Sequence, residues 1–284
     1  MGRNIIKNME KITSIILGVL FMGTLSSCSS ESIEQAQTDN LIKGAVLPHH
    51  LIVDNYMDDF YSEIASEVDV ERVIILAPNH FHYGFNYVQT TNYIDGMPLD
   101  LDFVNYLYNE EAIYIEPKYF DREHGVFVHH DFLQRHFPDA KIVPIIMKKY
   151  TPKEILDDLV DTIAKRDLEN TLIISSIDFT HVTSEETALK NDDRTVNWLN
   201  EWSEMQHKEG QFDDIHELAI SSEMDTEEAV AIDSPESLYV MTQLMENQNA
   251  YNYTPWKRTS SASLTGITDP LQNTSHIFMK FEKS

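Results

Sequence analysis

Two rhythms of hydrophobic and polar positions alternate along the chain. Short β-branched or aliphatic runs at Gly44–Leu47, Arg72–Leu76, Ile113–Ile115, Lys141–Met147, Thr171–Ile177 and Thr274–Glu282 read as buried strands. Between them the apolar residues fall at helical spacing. Asp54–Glu67 carries Tyr56, Phe60 and Ile64, with Val68 just beyond, and Asp100–Glu110 carries Leu101, Val104 and Leu107. Glu123–Phe137 places His124, Val128, Phe132 and His136 on related faces. Thr151-Pro152-Lys153-Glu154 has the residues of a helix start: a threonine cap, proline at the first helical position and a capping-box glutamate. That helix is predicted to end near Ala164, and another to run from Asp233-Ser234-Pro235-Glu236 to about Gln248.

Strands separated by helices imply βαβ units. The pattern predicts one α/β domain over 41–284, a three-layer α/β/α arrangement with a largely parallel or mixed central sheet. Pro144 interrupts the run KIVPIIM, which predicts a strand near an edge. Residues 183–230 are polar and helical, and are the expected cover over a site.

The amino terminus has a different composition. Arg3, Lys7 and Lys11 precede an apolar stretch, Ile12–Leu25, that is too short to span a bilayer. It runs into Leu25-Ser26-Ser27-Cys28, the pattern of a secretory leader with a lipobox. The expectation is a leader over 1–27, acylation of Cys28, and a polar tether over 28–40. The domain would then be anchored through lipid on the extracytoplasmic face. Cys28 is the only cysteine, so the domain itself offers neither disulfides nor thiolate ligands. The formal charge of −26 argues against nucleic acid as a partner, because that binding needs a basic face. It also leaves acylation as the membrane contact.

The candidate chemistry is histidine. The chain has 12, most of them between His49 and His181. Three predicted strands end on them: Gly44–Leu47 runs into Pro48-His49-His50, Val73–Leu76 into Ala77-Pro78-Asn79-His80, and Leu172–Ile177 into Asp178-Phe179-Thr180-His181. Strand carboxyl ends are where open α/β sheets place their sites. Neutral imidazole is the commonest metal ligand, and Asp178 fits a ligand or an orienting partner. Glu123-His124 is a further pair, and His276 in the last strand can reach the site, whereas His207 and His216 read as surface residues. No GxSxG, P-loop, GxGxxG or HExxH occurs, which argues against the chemistries those motifs carry.

Four ordered motifs, PHH at 48–50, LAPNH at 76–80, EHGVFVHHDFL at 123–133 followed by IVPI at 142–145, and SSIDFTH at 175–181, resemble those of the Memo family. Its bacterial members are called AmmeMemoRadiSam system protein B, and its fold is similar to that of class III extradiol dioxygenases. The resemblance implies a non-haem iron site with His49 and His80 as metal ligands. Asp178 and His181 stand beside them as catalytic or supporting groups, and Glu123, His124 and His129 fall on family positions. Phe81 stands where some members have a second histidine, which makes His82 the alternative to His80. Asp233 aligns with a cysteine that some members place near the site, and would complete a set of two histidines and one carboxylate, with Asp178 as its rival. The simplest role of Asp233, just before Ser234-Pro235, is a helix cap. The second acid of the family's EHSxE pattern is Phe127 here. The leader argues against a cytosolic radical-SAM partner.

The expectation is therefore a metal-dependent protein holding a divalent ion, iron(II) first and zinc or copper next. It would carry out dioxygenase-like redox chemistry on an unidentified small molecule, with His181, Asp178, His124 and Glu123 as catalytic groups. The alternatives are a metallohydrolase, with His181 or His124 moving protons, and a non-catalytic metal- or ligand-binding surface lipoprotein.

Overall fold

The apolar runs become strands whose alternate residues leave the sheet on opposite faces, as the strand period of two requires. The computed structural model describes residues 41–207, 209–220 and 229–284. The expected leader, Cys28 and the tether lie outside the described residues. Strand β1 (Ile42–Leu47) leads to helix α1 (Asp54–Glu67), then β2 (Arg72–Pro78) and a short β3 (Val88–Thr90). Helix α2 (Leu101–Asn109), β4 (Tyr114–Ile115), α3 (His124–His136) and β5 (Lys141–Met147) follow. Then come α4 (Lys153–Ala164), β6 (Thr171–Ser176), α5 (Glu185–Met205), α6 (Gln211–Ala219) and α7 (Pro235–Asn247). An edge strand β7 (Asn252–Ser260), a single turn α8 (Ser261–Thr265) and β8 (Ser275–Glu282) complete the order.

The strands form one eight-stranded mixed sheet in the order β4-β3-β5-β2-β6-β1-β8-β7. The central strands β5, β2, β6 and β1 are mutually parallel, while β8 runs antiparallel to β1, and β3 antiparallel to β5. On one face Leu47, Val73, Ile75, Leu172 and Ile174 pack against α1 and α3 through Phe60, Ile64, Val126 and Leu133. On the other, Val46, Ile74, Leu76, Val143 and Ile173 meet α2, α4, α5, α6 and α7 through Leu107, Leu159, Trp202, Ile215 and Met241. The result is the three-layer α/β/α sandwich. At Gly44 a side chain would run into Met241 and Met245, so β1 and α7 approach closely there because the position has no Cβ. No described helix is long and apolar enough to cross a membrane.

Three expectations need correction, and one edge strand went unpredicted. Strand β5 is interior, not near an edge, and Pro144 is accommodated by a gap in the ladder. Ile142 N donates to Pro98 O and pairing with β3 begins only at Ile145, so the missing N–H falls between the two. The proline carbonyl accepts from the Thr90 hydroxyl at 2.6 Å. Thr151 does not cap α4, since its hydroxyl donates to Lys148 O and the helix has no side-chain cap bond. The segment 183–230 does not form a cover in its described part. Its helices α5 and α6 bury Trp198, Leu199, Trp202 and Ile215 in the core beside α7. Strand β7 was not anticipated, because its exposed edge pattern NYTPWKRTS carries no apolar run.

Candidate metal centre

The parallel strands β1, β6 and β2 lie side by side, and their carboxyl ends deliver His49, Asp178 and His80 to one place. Each strand end is shaped locally. Past β2, Asn79 closes a tight loop: its N–H donates to Met147 O, its side-chain oxygen accepts from Tyr83 N, and its amide donates to Tyr83 O. The loop turns His80 toward the cluster and leaves His82 exposed, in the left-handed region at φ 49. His82 is thus outside the cluster. At α3, Glu123 is the N-cap, accepting from Gly125 N at 3.1 Å. A Cβ on Gly125 would stand 3.1 Å from that of Ala77, so the start of α3 lies tight against the end of β2.

His49, His80 and His124 are close enough to hold one metal ion, each offering a ring nitrogen within 4.8 Å of the others. The His80 and His124 rings stack at 3.9 Å, and His49 meets both edge-on. Asp233 faces this trio. Its Oδ2 lies 3.1 Å from His49 Nε2 and 3.8 Å from His80 Nε2. The contact with His49 is an ion pair, and neither Asp233 oxygen, both buried, has a further hydrogen-bond partner among the described residues. Asp233 is not the helix cap. Ser234 caps α7, accepting from Ser237 N.

Two of these imidazoles are oriented by partners on their far side. Glu123, which is 1% exposed, accepts from His80 Nδ1 at 2.5 Å and from His80 N at 3.1 Å. That leaves His80 Nε2 toward Asp233. His49 Nδ1 lies 3.0 Å from Ser176 Oγ, which lies 2.9 Å from His129 Nε2, while His129 Nδ1 lies 2.8 Å from the Tyr61 hydroxyl. Burial lowers the His129 pKa to about 3, so this ring is neutral and carries one proton. The chain then has a single consistent direction when His49 bears a proton on Nδ1. His49 donates to Ser176, Ser176 to His129, and His129 to Tyr61. In that arrangement His49 Nε2 faces Asp233 Oδ2 and can take a cation in place of its own proton.

Electrostatics around the cluster point the same way. Burial lowers the His49 pKa, but the carboxylates of Asp178 and Asp233 outweigh it and raise the value to about 9. A site that retains a proton so firmly also favours a metal cation in its place. Burial, with the His80 and His49 rings, lowers His124 to about 4, so its lone pair is available. Burial raises the Asp178 pKa, but the surrounding imidazoles, His49 first, bring it below its ordinary value. Asp178 Oδ1 accepts from His49 N at 3.2 Å, and Oδ2 is 3.7 Å from His49 Nε2.

Asp178 also belongs to a second group. His50, Asp178 and His276 offer ligand atoms within 4.8 Å of one another, with His50 Nδ1 2.9 Å from His276 Nε2. His181 stands near this group. Its N–H donates to Val230 O, and its Nε2 is buried without a hydrogen-bond partner among the described residues. No local signal singles out Tyr61, which lies within the amphipathic pattern of α1. The polar pair Ser175-Ser176, ending an otherwise apolar strand, was the signal available for Ser176. His207 is exposed as expected, but His216 is partly buried against Glu236.

The family model described as Memo-like protein matches residues 23–269. The chain belongs to the Memo family. A "MEMO1 family protein" of Saccharolobus solfataricus is 31% identical over 180 residues, which cover 58% of this chain and 62% of that protein. The match thus spans less than two thirds of that relative's length. Another, from Nitrosopumilus maritimus, is 30% identical over 198 residues, covering 63% of this chain and 71% of the relative. Among solved structures, an uncharacterized protein of Escherichia coli K12 superposes with a TM-score of 0.53. It covers 84% of this chain and 99% of its own at 10% identity, a likeness of fold alone. Memo membership agrees with the four motifs, which meet at the cluster through His49, His80, Glu123 and His124, and Asp178.

Proposed function

We propose that this Memo-family chain holds one divalent transition metal, iron(II), through His49, His80 and Asp233, and uses it for dioxygenase-like redox chemistry on a small molecule. The observation that carries this reading is the Asp233 carboxylate, whose two buried oxygens lack hydrogen-bond partners beside the Nε2 atoms of His49 and His80. The carboxylate balances the His49 imidazolium at 3.1 Å, and a metal cation shared with the two imidazoles would take the place of that proton. Two histidines and one carboxylate with open positions form the donor set of non-haem iron oxygenases. Such a metal would supply dioxygen activation when bound. The chain's own groups do the rest. Glu123 and Ser176 hold the two ligand rings in orientation, and His124, neutral and partly exposed, is placed to exchange a proton with a substrate. Asp178, 3.7 Å from His49 Nε2, and His181 are further proton-handling groups. We further propose that residues 1–27 are a leader and that acylated Cys28 tethers the domain outside the cytoplasm.

Metal analysis of anaerobically purified protein tests the central claim. Reconstitution with one equivalent of iron(II) is expected to fill this centre and give dioxygen uptake in the presence of reductant, and His49→Ala is expected to lose that uptake. Protein that stays metal-free after anaerobic reconstitution with iron, zinc and copper sinks it. Zinc-dependent hydrolysis without dioxygen uptake favours the metallohydrolase instead.

A further inference from the structure

We propose that His50, Asp178 and His276 form a second divalent-cation site beside the first, with Asp178 facing both. These side chains leave ring nitrogens unmet. His276 is fully buried in β8, and its Nδ1 has no hydrogen-bond partner among the described residues. Its Nε2 meets His50 Nδ1 at 2.9 Å. A neutral imidazole has one N–H and one lone pair, so whichever ring donates in that contact, His276 keeps one buried ring nitrogen unused. His181 Nε2, buried in the same surroundings, is unpartnered too. Buried polar atoms in folded proteins are almost always paired, so these imidazoles lack part of the hydrogen bonding that a purely structural network would give them.

The donors fit a cation. One ligand atom each from His50, Asp178 and His276 lie within 4.8 Å of one another. Zinc binds imidazole nitrogen at about 2.0–2.1 Å, so an ion between the two rings would take His50 Nδ1 and His276 Nε2, replace their hydrogen bond and fix the His276 proton on Nδ1. Two imidazoles and a carboxylate favour zinc, iron or copper over magnesium or calcium, which prefer oxygen donors. The site is separate from the first in its histidines, because neighbouring residues of one segment, His49 and His50, serve different groups. It touches the first through Asp178, whose Oδ2 is 3.7 Å from His49 Nε2. A carboxylate between two ions is a familiar feature of two-metal sites, whose ions stand about 3.5–4 Å apart. This site stands on its own donors, whether or not the first holds iron.

The test is the zinc stoichiometry of the metal-free full chain, measured by competition with a chromophoric chelator and by elemental analysis after desalting. Wild type should take up two equivalents. His276→Gln should retain one, and so should His50→Ala, whose partly exposed side chain can be removed with less risk to folding. His49→Ala should also retain one, and the double variant His49→Ala/His50→Ala none. Saturation of wild type at one equivalent overturns the proposal, as does retention of both by His276→Gln and His50→Ala. Loss of both equivalents in His50→Ala with an unchanged melting temperature means one shared site, and overturns it as well. The reading of the first site fails separately, if His49→Ala keeps two equivalents while His50→Ala keeps one.

Discussion

His49 and His50 are consecutive, yet they serve two groups built on different plans. On the His49 side, the far nitrogen of each ring facing Asp233 is held: Ser176 holds His49 and Glu123 holds His80. On the His50 side the rings hold each other, and a nitrogen of His276 is left over. A far-side partner fixes the tautomer and the ring angle before any ligand arrives. A histidine pair fixes neither, since the proton between the rings can belong to either. The first group is therefore preorganised and the second adaptable. That predicts a tighter, more selective first site.

The largest effect that would break this comparison is at Asp233. Asp233→Asn should weaken iron(II) binding by far more than the roughly 10–100-fold expected of a supporting residue. Its melting temperature should change little, because Ser234 caps the helix. Isothermal titration under anaerobic conditions reads the first quantity, and wild-type affinity in the variant would remove Asp233 from the metal site. Ser176→Ala comes next. Loss of the hydroxyl frees the His49 tautomer, and metal affinity should fall by about 10–100-fold. Ser176→Thr, which keeps the hydroxyl, should restore most of it, and equal losses in the two variants would show packing to be the cause. Ser234→Ala is smaller and of another kind. It should cost about 1 kcal/mol of stability in denaturant unfolding and leave metal affinity unchanged.

The smallest effect is a control on a histidine–carboxylate contact away from both groups. His216 Nε2 lies 3.4 Å from Glu236 Oε1. Burial lowers the His216 pKa, but Glu236 and the Phe212 carbonyl outweigh it, and the net shift is upward. A pKa raised on folding stabilises below the unfolded value of about 6.5 and ceases to do so as pH rises through the folded value. The melting-temperature gap between wild type and His216→Gln should thus be present at pH 5 and shrink as the pH rises above the unfolded value. A gap that grows with pH would reverse the assignment.

The strand ends were legible in the sequence because a β-branched run followed by a break is a local signal, and it placed His49, His80 and Asp178 at strand carboxyl ends. Long-range pairing was not legible. Pro144 reads locally as an edge residue, and only the gap between the Pro98 carbonyl and β3 makes it an interior one. Strand β7 is held by its partner β8 across a bulge near Pro255, without a period of its own. Helix α5 reads as a polar cover because its mean composition is polar, while Trp198, Leu199 and Trp202 form a narrow stripe that carries it into the core. The same limit applies at the site. His82 is excluded by the turn that Asn79 closes, and Tyr61 enters only through contacts with residues remote in sequence.

The position of β8 bears on how the site comes into being. Strand β1 is hydrogen-bonded to β6 on one side and to β8 on the other, so its ladder closes only when residues 275–282 have docked. Before that step the apolar run Ile42–Leu47 is an open edge, the kind of surface that recruits other chains. Pairing between segments so distant in sequence is slow, because the loop must close before the contact is rewarded. His276 arrives with that same strand. Metal capture at His50 can then only follow closure of the sheet, and a chain caught before closure is exposed to self-association while still lacking one ligand.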